Sequence, residues 1–261
     1  MEKNGLYIVG TVHFDLDGPN RLYTLLERLS PSVIALEFNK DRENSTLSDD
    51  VRQKQKRSME EAVSGLGLNS TQKVTLLESG RIISEAMTFE LNSSRRYVEK
   101  NKKTRLEYID LSVFANGEKE FIDGYLETFK LEMKKIASDP DSSKMVGEKL
   151  DAGLDSYLNG IRENVQQIYE MAGVLGEIFD EVREPETLEL IKSSMPNESF
   201  KAIEQMFNPE RDNFMGDRIR DLYNGKNRLV AVVGLGHLSR IKRRIDDLKP
   251  RIMTLAEYDS V

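Results

Sequence analysis

Two short β-rich apolar runs stand at opposite ends of this chain, and each closes on the same local pattern. Leu6-Tyr-Ile-Val9 leads into Gly10-Thr-Val-His13, and Leu229-Val-Ala-Val-Val233 leads into Gly234-Leu-Gly-His237. A run apolar at every position reads as a strand buried on both faces, which places it inside a parallel α/β sheet. Val33-Ile-Ala-Leu36 is another such run. It is separated from the first by the helical stripe Leu22, Leu25, Leu26 and Leu29, and by Pro31, so the opening segment reads as a β-α-β unit. Leu106–Leu111 and Arg251–Leu255 are two further candidate strands.

Nearly everything else has helical spacing. One polar helix is expected from about Thr71 to Lys100, after the charged stretch Arg52–Arg57. Phe121, Tyr125, Phe129, Met133 and Ile136 form one stripe. From Leu150 to Val182 the apolar residues keep a near-heptad register, which predicts one long amphipathic helix packed against another, in this chain or in a second copy. Asn208-Pro209 reads as an N-cap and first-turn proline opening a helix that carries Arg211, Phe214, Met215, Arg218 and Leu222. A basic helix is expected from Leu238 to Leu248. The expected fold class is therefore α/β, a small parallel-rich sheet built from both ends of the chain with a large helical insertion forming a cap. It reads as a single domain, with the α/β core at about 1–42, 105–112 and 226–261 and the insertion at about 43–104 and 113–225.

The scarce residue types exclude whole classes of chemistry. With no cysteine there is no disulfide framework, thiolate metal site or thiol nucleophile. Two histidines cannot make a three-histidine zinc site, and neither lies in an H-E-x-x-H helix. A formal charge of −7 and the absence of tryptophan speak against nucleic acid as a partner. The longest uncharged stretches, Asn4–Phe14, Ala62–Gln72 and Leu229–Ser239, fall short of the ~20 residues a membrane span needs. No basic leader followed by an apolar segment opens the chain, so the expected location is cytoplasmic.

The residues able to do chemistry gather at strand ends. In an open α/β sheet, ligands bind beyond the carboxyl ends of the strands, so His13 and His237 would face one crevice if their strands are neighbours. Glu37 ends the Val33–Leu36 run and must be solvated, paired or metal-bound there; an ion pair with Arg42 is the plain alternative. Two imidazoles and a carboxylate are a familiar ligand set for Zn²⁺, Mn²⁺, Co²⁺ or Fe²⁺. Arg211 lies at the start of an apolar stripe, as a clamp for a carboxylate or substrate oxyanion or as half of a buried ion pair. Asp212 suits the first turn of its helix in any case. Asp110, near the end of the third strand, is a supporting acid or an ordinary cap.

Four motifs in order, Gly10-Thr-Val-His13, Val33-Ile-Ala-Leu-Glu37 with Arg42 beyond it, Glu210-Arg-Asp-Asn-Phe-Met215 and Val230-Ala-Val-Val-Gly-Leu-Gly-His237, resemble the TraB/PrgY family. That family is related to the Tiki-type metalloproteases and, more distantly, to erythromycin-esterase-like and ChaN-like proteins. The resemblance implies a metal-dependent hydrolase core, with a peptidase as the leading form and Mn²⁺ or Co²⁺ as the favoured ion, Zn²⁺ remaining open. It implies His13, Glu37 and His237 at the metal, and Glu37, Arg211, Asp212 and Glu90 as the catalytic set, with Asp110 and Arg42 around them. The expected partners are a peptide or small-molecule substrate and a second copy of the chain through the long amphipathic helices. The rival readings are a non-catalytic protein that sequesters a peptide or small ligand, and an esterase-type hydrolase.

Overall fold

A computed structural model of the chain describes residues 5–40, 49–111, 134–136, 138–182, 184–194 and 208–260. Its sheet has five strands, β1 (Gly5–Thr11), β2 (Val33–Leu36), β3 (Arg105–Tyr108), β4 (Arg228–Gly234) and β5 (Arg251–Thr254). They are all parallel, in the order β3-β2-β4-β1-β5. The C-terminal strand β4 is thus inserted between β1 and β2, the two strands of the opening β-α-β unit. Register places Thr11 opposite Gly234 and Leu36 opposite Val232.

Alternation along each strand builds two apolar layers. Tyr7, Val9, Ile34, Leu36, Val230 and Val232 face one side, where α1 (Gly18–Leu29) and α4 (Phe89–Lys100) cover them. Leu6, Ile8, Val33, Ala35, Leu229 and Ala231 face the other, under α9 (Pro209–Leu222) and α10 (Leu238–Arg244). Leu22, Leu25, Leu26 and Leu29 of α1 are completely buried, each worth roughly 1.5–3 kcal/mol of transfer free energy. Because α1 follows β1 on one face and α10 follows β4 on the opposite face, the loops after these neighbouring strands part. A crevice opens at their carboxyl ends.

The helical insertion differs from its sequence pattern at two places. The expected Thr71–Lys100 helix is two, α3 (Ser70–Ala86) and α4, with α2 (Asp49–Ser64) before them. At the break the Thr88 hydroxyl donates to the Glu85 carbonyl, competing with the helical ladder, and the chain turns so that Glu90 falls in the first turn of a new helix. The expected Leu150–Val182 helix is three, α5 (Pro140–Asp151), α6 (Leu154–Glu170) and α7 (Ala172–Val182), followed by α8 (Pro185–Ser194). Gly153 breaks it with φ 89 and ψ 167, a conformation open in practice to glycine alone. The near-heptad stripe is therefore no continuous seam. Leu150 joins Leu66 and Leu68 in a small separate cluster, whereas Val165 and Tyr169 pack into the main core. Of the Phe121–Ile136 stripe, all but Ile136 lie outside the described residues.

Smaller differences concern strand and helix ends. The third strand stops at Tyr108, two residues before Asp110. Its ladder nonetheless continues, the Ile109 and Asp110 amides donating to the Leu36 and Phe38 carbonyls, which holds Asp110 beside Glu37. The basic helix ends at Arg244, before a 3₁₀ turn over Asp246–Leu248. Asn208 caps α9 as expected, its side chain accepting from the Glu210 amide at 2.9 Å. No helix among the described residues is long and apolar enough to cross a membrane.

Candidate active site

The three strands that meet at the crevice each deliver one chemical group. Glu37 is the first residue past β2, fixed by its own amide donating to the Val232 carbonyl at 2.9 Å. His13 stands two residues past β1, and His237 ends the 3₁₀ turn Leu235–His237 that follows β4. Glu37 is only 5% exposed. Its Oε1 accepts from Arg211 Nη2 at 2.7 Å and lies 3.3 Å from His237 Nε2, while Oε2 accepts the Gly234 amide at 2.5 Å.

Arg211, on the inward face of α9, joins Glu37 to Asp110. Its Nε and Nη2 donate to the two oxygens of Asp110 at 2.6 and 2.7 Å. Such forked pairing aligns both carboxylates rigidly. His237 Nδ1 is in very short contact with Asp212 Oδ1, one residue along the same helix. On the other side of Glu37, His13 Nδ1 lies 2.8 Å from Glu90 Oε1, which also accepts from the Thr11 hydroxyl at 2.9 Å.

Burial alone would push the Glu37 carboxyl up, but the facing His237 imidazolium and the Arg211 guanidinium outweigh it and hold it well below its ordinary value. Burial would likewise discharge His237, yet Glu37 and Asp212 reverse that effect and raise it to about 9. Arg211 is driven further up against its own desolvation by Glu37 and Asp110. The centre is a compact alternation of charges, three carboxylates against one guanidinium and one imidazolium.

Gly234 forms the floor. A Cβ there would stand 3.1 Å from His13 Nε2 and 3.3 Å from Glu37 Oε2. The bare backbone leaves a cavity of about 10 Å³, with His13, Glu37, Glu90 and Met87 among its walls. That is on the scale of a single water molecule.

The structure brings together seven residues singled out from the sequence: His13, Glu37, Glu90, Asp110, Arg211, Asp212 and His237. Arg42 lies outside the described residues, and the ion pair of Glu37 is made with Arg211. Of the two roles open to Arg211, its short hydrogen bonds go to carboxylates of the chain itself, and its Nη1 lies 3.5 Å from His237 Nε2. Glu90 and Asp212 each hold a histidine by Nδ1. Thr11 and the Gly234 amide were not anticipated as site groups, though both sit inside the Gly-x-x-His segments. Asp15 and Tyr169, which bond the loop carrying His13, had no sequence signal beyond Tyr169 falling near the apolar stripe of its helix.

His13 and His237 are the residues that could each offer a ring nitrogen to a divalent ion beside Glu37. A histidine ligand has its second nitrogen held by a carboxylate, a backbone carbonyl or water, and here Nδ1 of each imidazole faces a carboxylate, while His237 Nε2 faces Glu37 and Arg211. The N, N, O set suits Zn²⁺, Mn²⁺ or Co²⁺. Among the described residues no three His, Asp or Glu side chains converge as a ligand cluster.

A family model described as TraB/PrgY/gumN matches residues 1–255. The chain belongs to that family. The match runs from β1 through β5 and includes every residue of the site just described, so the helical insertion is part of the family's unit. The chain is also similar to an uncharacterized protein of Methanocaldococcus jannaschii, 23% identical over 259 residues, which cover 94% of this chain. The chain spans about half of that relative's length, 54%. No solved structure matches.

Proposed function

We propose that this TraB-family chain is a metal-dependent hydrolase, with peptides as the first substrate class to test, and that His13 and His237 hold one divalent ion beside Glu37. The observation that carries the reading is the paired arrangement of imidazoles. Each is held at Nδ1 by a carboxylate, and Glu37 stands between them with one oxygen toward His237 Nε2 and the other beside the Gly234 floor near His13 Nε2. When bound, Mn²⁺, Co²⁺ or Zn²⁺ would lower the pKa of a water towards ~7 and polarise a substrate carbonyl.

The chain's own groups then have separable tasks. Glu90 and Asp212 fix the orientation of the two imidazoles and compensate positive charge on them. Arg211 and the Gly234 amide hold the Glu37 carboxylate ionised and aimed at the cavity, where it would serve as an anionic partner for the ion and a hydrogen-bond acceptor for its water. Asp110 holds Arg211 in turn. Met87 and Leu91, from the α3–α4 turn and α4, give the cavity its apolar wall.

The test is ion stoichiometry after loading with Mn²⁺, Co²⁺ or Zn²⁺, in the wild type and in a His13→Ala/His237→Ala variant, followed by a screen of peptides for ion-dependent cleavage. About one ion per chain, lost in the variant, with turnover that needs it, is the expected result. A wild type that takes up no ion, or cleavage unchanged by removing both imidazoles, overturns the proposal.

A further inference from the structure

His13 is two residues beyond the last hydrogen-bonded position of β1, so the sheet alone does not decide where its ring points. The segment between β1 and α1 closes on itself: the Asp15 amide donates to the Val12 carbonyl at 2.8 Å and the Gly18 amide to the Asp15 carbonyl at 3.0 Å. At its centre is the Asp15 carboxylate, only 2% exposed. Oδ1 accepts the Asp17 amide at 2.9 Å, and Oδ2 accepts Arg21 Nη1 at 3.2 Å. The remaining partner comes from far along the chain. The hydroxyl of Tyr169, near the end of α6 and 4% exposed, donates to Asp15 Oδ2 at 3.1 Å and accepts the Val12 amide at 3.1 Å.

One oxygen therefore ties together both arms of the turn, on either side of His13. Two turns earlier on α6, Arg162 Nε reaches Asp17 Oδ1 at 3.3 Å, a second tether between the same helix and the same loop. Burying a carboxylate and a phenol is costly unless their hydrogen bonds are made, so this network specifies one loop geometry. Among the described residues, the hydrogen bonds of this network run between Val12, Asp15, Asp17, Arg21, Arg162 and Tyr169, and not to Glu37 or His237. Its effect on the site runs through the backbone at Val12, next to the imidazole that Glu90 orients.

We infer that Tyr169 is a positioning residue, through which the helical insertion holds the His13 loop so that Nε2 faces the Gly234 floor. The inference concerns the metal-free chain, and rests on the metal-site reading only where ion affinity is the readout. Because the chain has only two histidines, long-range ¹H–¹⁵N spectra of the imidazoles separate them cleanly.

Tyr169→Phe removes the hydroxyl and keeps the ring in the core. It is expected to shift the His13 nitrogens towards tautomer-averaged values, leave those of His237 in place, and weaken Mn²⁺ or Co²⁺ binding by calorimetry about tenfold. Asp15→Asn, which alters the other end of the same bond, should change the His13 signals in the same way and serves if Tyr169→Phe does not fold. Tyr97→Phe is the control for ordinary loss of a buried hydroxyl: Tyr97 is equally buried in the core, but its hydroxyl neighbours are Thr104 and Ser30. Unchanged His13 signals in Tyr169→Phe, or the same change in Tyr97→Phe, would overturn the inference. Altered His13 signals in a protein whose wild type binds no ion would uphold it while removing the metal reading.

Discussion

Replacing Arg211 by methionine tests the electrostatic account of the site most directly. Methionine keeps an unbranched apolar stem in the α9 groove but removes the guanidinium of this buried residue, which makes contacts of 2.6, 2.7 and 2.7 Å with Asp110 and Glu37. Two unit charges at about 4 Å interact by about 4 kcal/mol at an effective dielectric of about 20. Deleting one partner of a buried pair typically costs about 3–5 kcal/mol, because the other charge is left desolvated. Here two carboxylates lose their shared cation, so a loss of about 3–5 kcal/mol is expected in urea unfolding at pH 7.5. The pH dependence has a definite sign. The Glu37 carboxyl is held below its unfolded value of 4.5, so its contribution is present above that pH and is lost as the pH falls through the folded value. Without Arg211 this depression shrinks, so the gap between wild type and variant should be full above about pH 5.5 and narrow as the pH is lowered. Adding Asp110→Asn to Arg211→Met should recover part of the loss, since it removes one of the stranded charges. A single variant that loses less than about 1 kcal/mol at pH 7.5, or a gap that does not narrow in acid, would refute the reasoning.

Three further outcomes are expected. The backbone at Gly234, φ −59 and ψ 143, suits any residue, so Gly234→Ala should fold with a melting temperature within a few degrees of wild type. Its Cβ enters the space between His13 Nε2 and Glu37 Oε2, so Co²⁺ affinity measured by calorimetry should fall at least about tenfold; undiminished affinity would show that the cavity floor is not the ion's place. His237, raised to about 9 in the metal-free chain against 6.5 when unfolded, stabilises the fold below 6.5, and that contribution disappears as the pH rises through 9. The wild type should therefore lose more thermal stability between pH 6.5 and 9.5 than His237→Gln does, and an NMR titration of the His237 ring with a midpoint near 6.5 would contradict the charge balance described. Gly153→Ala should cost about 1–3 kcal/mol in denaturant unfolding, since no side chain tolerates φ 89 with ψ 167; a neutral effect would mean that the helix runs unbroken there.

The α/β class was written in the apolar runs themselves. A strand buried on both faces must be apolar at every position, so Leu6–Val9, Val33–Leu36 and Leu229–Val233 announced a parallel sheet assembled from both ends of the chain. The chemistry of the site was equally local, because a histidine or glutamate just past the end of such a strand has to lie at the sheet's carboxyl edge. Helix continuity was not: the stripe from Leu150 to Val182 carries the same period whether or not Gly153 and Met171 interrupt it.

Only the tertiary structure decided what each charged group does. The insertion of β4 between β1 and β2 sets Gly234 beside Glu37, and the extension of β3's ladder sets Asp110 beside Arg211. These partners are 197 and 101 residues apart. Spacing along a helix or strand reports which face a residue occupies, but not which distant face it meets. Whether Arg211 would grip a substrate or the chain's own acids, and whether Tyr169 would merely pack or would hold the loop of His13, depended on sheet order and on where α6 came to rest. Those are properties of the packed molecule, in which a hydrogen bond joins groups that no local pattern relates.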